Sequence, residues 1–233
     1  VELADAEALA RYLRNDRIAE LSAARRKATA LAPTCQRWLD DAPAKRLIFD
    51  RLYGDLLDAT DRPRVLDVGG GLTLLTAMLA ASSDYTLLDP LHHDTDEDVH
   101  AVRTEAPPFA LLRADWQETD PDGPFDAVVA SDLFPNVDQR LALFLAWAAP
   151  RAREIRLSLT FYNTTRWYRV KRVDADEQLC VLAYDGAQTR AALAPFAGRA
   201  KGWRPELFEA REGSLFANGR QVVLASFAGD SRP

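Results

Sequence analysis

Between residues 64 and 161 the chain alternates short apolar runs with stretches of helical spacing, a rhythm that restricts it to a parallel sheet with crossover helices. The apolar runs fall at residues 64–68, 85–88, 109–113, 125–132 and 154–161. Stretches 72–81, 95–103 and 137–149 predict the helices between them, the last stopped by Pro150. The run at 125–132 is apolar at nearly every position, which predicts a central strand covered on both faces.

Open parallel sheets bind ligands beyond the carboxyl ends of their strands. Four of these ends carry an acid: Asp67, Asp89, Asp115 and Asp132. The first acid runs into Gly69, Gly70 and Gly71, followed by Leu72 and Thr73. A strand that ends in glycines lets backbone approach a ligand closely. The spacing differs from the dinucleotide fingerprint, whose third glycine would fall on Leu74, and a carboxylate before the glycines suits a pyrophosphate badly. Asp89, followed by Pro90, lies about twenty residues beyond the first glycine, where an acid reaches ribose hydroxyls.

Asp67, Gly69, Gly71 and Thr73 resemble the first motif of the class I S-adenosylmethionine (SAM) methyltransferases, an acid followed by alternating glycines, with Thr73 in place of the last glycine. The resemblance covers about residues 60 to 165 and implies SAM as cofactor and S-adenosylhomocysteine (SAH) as product. It assigns Asp67 and the backbone of Gly69, Gly70 and Gly71 to the methionyl portion, and Asp89 and Pro90 to the ribose. Asp115 and Trp116 fall to the adenine, and Ser131 to the neighbourhood of the methyl donor. Asp132 becomes a candidate for orienting the acceptor or taking its proton, with His92 and His93 as further candidates for a base. The fold implied is α/β: a seven-stranded, mostly parallel sheet with helices on both faces.

The flanks depart from a minimal domain of that family. Residues 1–62 predict a helical extension or lid, with Leu9 and Leu13, Ile18 and Leu21, and Ile48, Leu52 and Leu56 at helical spacings. Residues 63–233 form the cofactor-binding domain, with a hairpin inserted at about 166–185 that turns at 174–177. Trp167, Tyr168, Arg166, Arg169, Lys171 and Arg172 of this hairpin are candidates to line an acceptor pocket. A final strand pair is predicted at 205–210 and 221–227.

A formal charge of −6 argues against a nucleic-acid partner and for a small-molecule or sugar-like acceptor, methylated on oxygen or nitrogen. No run approaches the ~18 apolar residues of a membrane span, and the first residues lack the pattern of a secretory signal. A cytoplasmic protein is expected, with Cys35 and Cys180 reduced and buried. The acids and histidines of 92–100 match no zinc or calcium spacing, so they predict an acidic helix start and no metal site. Two alternatives keep the fold. One is aminopropyl transfer from decarboxylated SAM, and the other is a non-catalytic binding protein.

Overall fold

The computed structural model describes residues 1–171 and 178–231. The N-terminal segment forms strand β1 (Glu2–Leu3) and helices α1 (Ala6–Tyr12), α2 (Arg17–Ala28), α3 (Gln36–Asp41) and α4 (Pro43–Leu57). Then come β2 (Arg64–Val68), α5 (Thr76–Ser82), β3 (Asp84–Leu88), α6 (Asp96–Glu105), β4 (Ala110–Leu112), β5 (Phe125–Ala130), α7 (Leu141–Ala148) and β6 (Ala152–Phe161). The hairpin strands β7 (Arg166–Lys171) and β8 (Gln178–Ala183), helix α8 (Gly186–Leu193) and strand β9 (Gln221–Ala228) complete the order.

Seven strands make one sheet in the order β1-β9-β6-β5-β2-β3-β4, and β7 with β8 make a separate antiparallel ribbon. Strands β2 to β6 are parallel, while β9 runs antiparallel to both β6 and β1. The chain leaves β2 for β3 on one side and later returns to β5 on the other. The topological switch therefore lies between the carboxyl ends of β2 and β5, which is where a ligand crevice opens.

Successive residues of the central strands enter different cores. Val65, Ala127 and Val129 join Leu47, Ile48 and Leu52 of α4 and Leu79 of α5. Leu66, Val128 and Ala130 join Phe144 and Leu145 of α7. Both faces of β5 are thus covered, as its unbroken apolarity predicts. Helix α4 begins with Pro43 at its first turn and buries Leu47, Ile48, Leu52 and Leu56 in the core shared with β2. Leu13 misses that core and stays exposed.

Several boundaries differ from the sequence expectations. The strand predicted at 205–210 is a 3₁₀ turn, Pro205–Phe208, because Pro205 lacks the N–H a ladder needs and its fixed φ suits a helical start. The outer place beside β9 goes to Glu2–Leu3, a strand drawn from the N-terminal segment read as helical. The first crossover helix starts at Thr76 rather than Leu72, since residues 72–75 form a turn in which the Thr73 hydroxyl accepts from the Leu75 N–H. The predicted helix at 137–149 begins only at Leu141, after Asp138 has captured the Arg140 N–H. Cys35 is buried as expected, but Cys180 is exposed on the ribbon. The predicted turn at 174–177 and Arg172 lie outside the described residues.

Candidate functional site

A cleft of about 800 Å³ opens over the carboxyl ends of β2, β3, β4 and β5. Its size is at the upper end of the ~300–1,000 Å³ typical of small-molecule sites. The glycine turn forms its floor, and only glycine fits there. A Cβ on Gly70 would collide with the carboxylate of Asp67, and one on Gly71, at φ +65°, would come within 2.5 Å of the Cys35 sulfur.

Asp67 is the one strand-end acid that does not line the cleft. It is buried beneath the turn, and its two oxygens accept from the hydroxyls of Tyr53 at 2.8 Å and Tyr85 at 2.6 Å. Burial pushes its carboxyl up to about 7, although both tyrosines pull the other way. Asp67 therefore supports the turn from below and ties it to α4 through Tyr53. Gln36 makes a second tie, its side-chain oxygen accepting from the Leu74 N–H at 3.0 Å.

Asp89 does face the cleft, with Pro90 beside it. It accepts from the N–H of Gly71 at 2.9 Å and of Leu91 at 2.7 Å, so it links the glycine turn to the loop after β3. Its carboxylate retains lone pairs for a further donor. Asp115 lies beyond β4, and the Arg140 guanidinium grips both its oxygens at 3.0 and 2.6 Å. Hydrogen bonds from Arg140 hold the Asp115 carboxyl below its ordinary value despite partial burial. Trp116 forms part of the wall: its indole N–H donates to Asp138 at 2.8 Å, and Arg140 stacks on its ring at 4.7 Å. Val68, Leu88 and Ala114 supply apolar lining at the ends of β2, β3 and β4, a surface suited to a flat heterocycle.

Ser131 and Asp132 border the cleft beyond β5. Asp132 sits at φ +56°, a conformation that Asp tolerates better than most residues. Its carboxylate accepts from Lys45 of α4 at 2.9 Å and from Arg220, just before β9, at 2.7 Å. Burial alone would raise its pKa, but the two cations outweigh that and hold it below the ordinary value. A carboxylate held ionised in this way orients partners well and takes protons badly. His92 and His93 also line the cleft, His93 edge-on to Trp38 at 5.5 Å.

Two acids of the 94–98 segment have local work. Asp98 completes a capping box with Thr95 at the start of α6, and Asp96 pairs with Arg113. From the ribbon, Tyr168 reaches the cleft and donates to Asn136 at 3.0 Å, while Trp167 turns outward and is 66% exposed.

No protein-family model and no curated protein sequence matches the chain. Solved structures do. DhpI in complex with SAH matches at TM-score 0.53 and 16% identity, over 93% of this chain and 97% of that one. The 1,6-didemethyltoxoflavin-N1-methyltransferase of Burkholderia thailandensis, solved with 1,6-didemethyltoxoflavin and SAH, matches at TM-score 0.51 and 16% identity, over 99% and 93%. The chain has the class I SAM-dependent methyltransferase fold. A third match, the N-terminal domain of EvdMO1 in the presence of SAH and D-fucose, has TM-score 0.52 and 18% identity over 78% and 82%.

Set on the methyltransferase fold, the predicted residues divide clearly. The structure brings Gly69, Gly70, Gly71, Asp89, Pro90, Asp115, Trp116, Ser131, Asp132, His92 and His93 to one cleft and leaves Asp67 beneath its floor. The sequence reading missed Lys45, Tyr53, Arg140 and Arg220. No local pattern could have found the two partners of Asp132, which lie 87 and 88 residues away from it in the chain.

Proposed function

We propose that this chain is a methyltransferase that binds SAM and transfers its methyl group to a small-molecule acceptor. The supporting observation is convergence: a glycine turn and three acid-bearing strand ends meet in one cleft at the topological switch of the sheet. In this reading the backbone of Gly69 to Gly71 and Ser131 hold the methionyl portion. Asp89 takes the ribose hydroxyls, Asp115 takes the adenine amino group, and Trp116 closes the adenine wall.

Bound SAM would supply an electrophilic methyl on a sulfonium. The chain's own contribution is then to orient the acceptor in line and to exclude water, which can provide much of the rate. Asp132, fixed by two cations, serves orientation. His92 and His93 are the groups in the cleft suited to removing a proton from a neutral acceptor.

Titration calorimetry with SAM, SAH, decarboxylated SAM and NAD tests the assignment. SAM and SAH are expected to bind more tightly than the other two. Preference for decarboxylated SAM would move the chain to aminopropyl transfer, and binding of NAD alone would refute the reading. A chain that binds SAH yet moves no methyl group to any acceptor would be a binding protein.

A further inference from the structure

Charged groups gather at the two ends of the cleft, and Arg37 also lines it. At the β4 end, Asp115 and Asp138 share the single guanidinium of Arg140, and Asp89 lies between them and the glycine turn. At the β5 end, Asp132 faces both Lys45, which lines the cleft beside it, and Arg220 behind. The sheet order places β3 and β2 between β4 and β5. Three strand spacings of ~4.8 Å separate the ends by about 14 Å, so the excess charges do not cancel across a solvated cleft.

The cations at the β5 end are well fixed. Arg220 is 7% exposed, packs on Phe216 at 3.9 Å and leaves its Nε buried with no partner among the described residues. Lys45 spends one N–H on Asp132 and lies 4.7 Å over the Trp38 ring, within the cleft wall. One buried and one partly exposed cation around one carboxylate leave a net positive charge, which an anionic ligand complements.

Building on the methyltransferase reading, we propose that the acceptor presents an anionic oxygen, a carboxylate or another oxyanion, held at the β5 end of the cleft by Lys45 and the field of Arg220. That oxygen is itself the nucleophile. One of its lone pairs forms the bond to the methyl carbon as the carbon–sulfur bond breaks, and the bonding pair stays on sulfur, turning the sulfonium into a neutral thioether. One negative and one positive charge disappear together, no proton moves, and no general base is required. Asp132 then orients the acceptor only indirectly, by fixing Lys45 and Arg220 in place. An amine acceptor, cationic near neutral pH, would meet repulsion here.

The test uses the full chain saturated with SAH, titrated by calorimetry with benzoate, phenylphosphonate, phenyl β-D-glucoside and benzylamine. The two anions are expected to bind at least tenfold more tightly than the glucoside and the amine. Lys45→Met should weaken anion binding at least tenfold, Lys45→Arg should restore most of it, and both should keep SAH affinity within threefold. Asp132 keeps Arg220 in either variant, and a melting curve checks the fold. Tighter binding of the glucoside or the amine, or anion affinity indifferent to Lys45→Met, overturns the proposal. So does a parallel loss of SAH affinity, which would give the cation to the cofactor's own carboxylate. Anion binding that persists in a chain unable to bind SAH would instead retire the methyltransferase reading and leave the anion site standing.

Discussion

Replacing Asp67 by Asn should stabilise the protein at neutral and alkaline pH. The carboxylate is buried beneath the glycine turn, and burial lifts its pKa from the ordinary 3.8 to about 7 even with two tyrosine hydroxyls donating to it. A carboxyl whose pKa is raised on folding binds its proton more tightly in the native state. Its ionisation therefore costs the folded state stability as pH rises from about 4, and that loss levels off above about 7. At about 1.36 kcal/mol per pH unit, the interval sets a ceiling of about 4 kcal/mol. Asn keeps the shape, can accept from one tyrosine and donate to the other, and does not ionise. Urea unfolding of both proteins from pH 4 to pH 9 measures the difference directly and cancels the titrating groups that do not interact with Asp67. The stability of Asp67→Asn relative to the parent should climb through that window and then plateau. Parallel pH profiles for the two proteins would refute the reasoning.

Three further outcomes follow from the site. Asp89→Ala should weaken SAH binding at least tenfold by calorimetry, about 1.4 kcal/mol, and lower the melting temperature by a few degrees, since the N–H groups of Gly71 and Leu91 lose their acceptor; unchanged SAH affinity would remove the ribose assignment. Gly71→Ala should cost about 1–3 kcal/mol in urea unfolding through its left-handed backbone and the Cys35 sulfur. The same substitution in a Cys35→Ala background should cost less, and an equal cost would show that the sulfur contact is unimportant. Asp132→Asn should destabilise by about 1–3 kcal/mol, because the buried Arg220 loses its charge partner. Asp132 is held below its ordinary pKa, so its contribution is present at neutral pH and fades as pH falls through the acid range, which makes the penalty of Asp132→Asn shrink below about pH 4.

The two tyrosines under the turn mark the boundary of what the sequence alone could show. Asp67 stands at the motif's acidic position and reads as a ligand contact from its neighbours in the chain. Only the packing of Tyr53 from α4 and Tyr85 from β3 reveals that both of its oxygens are already engaged. The place of Asp89 and Asp132 at the cleft was legible because a strand end fixes where its next residue points. Their partners were not legible, because contacts between distant segments leave no local periodicity.

The sequence by itself determined the parallel sheet, the position of the glycine turn and three of the acids that face the cleft, since strand period and steric freedom at glycine are local properties. Tertiary structure decided the rest. It took an outer strand from the first residues of the chain, where two hydrogen-bonding residues suffice and no propensity signals them. It also brought Lys45 and Arg220 from opposite flanks onto Asp132, so that one acid of the cleft meets two cations on a chain that is acidic as a whole. The sign of a site depends on which charges converge in space, and a net charge summed along the chain does not carry that information.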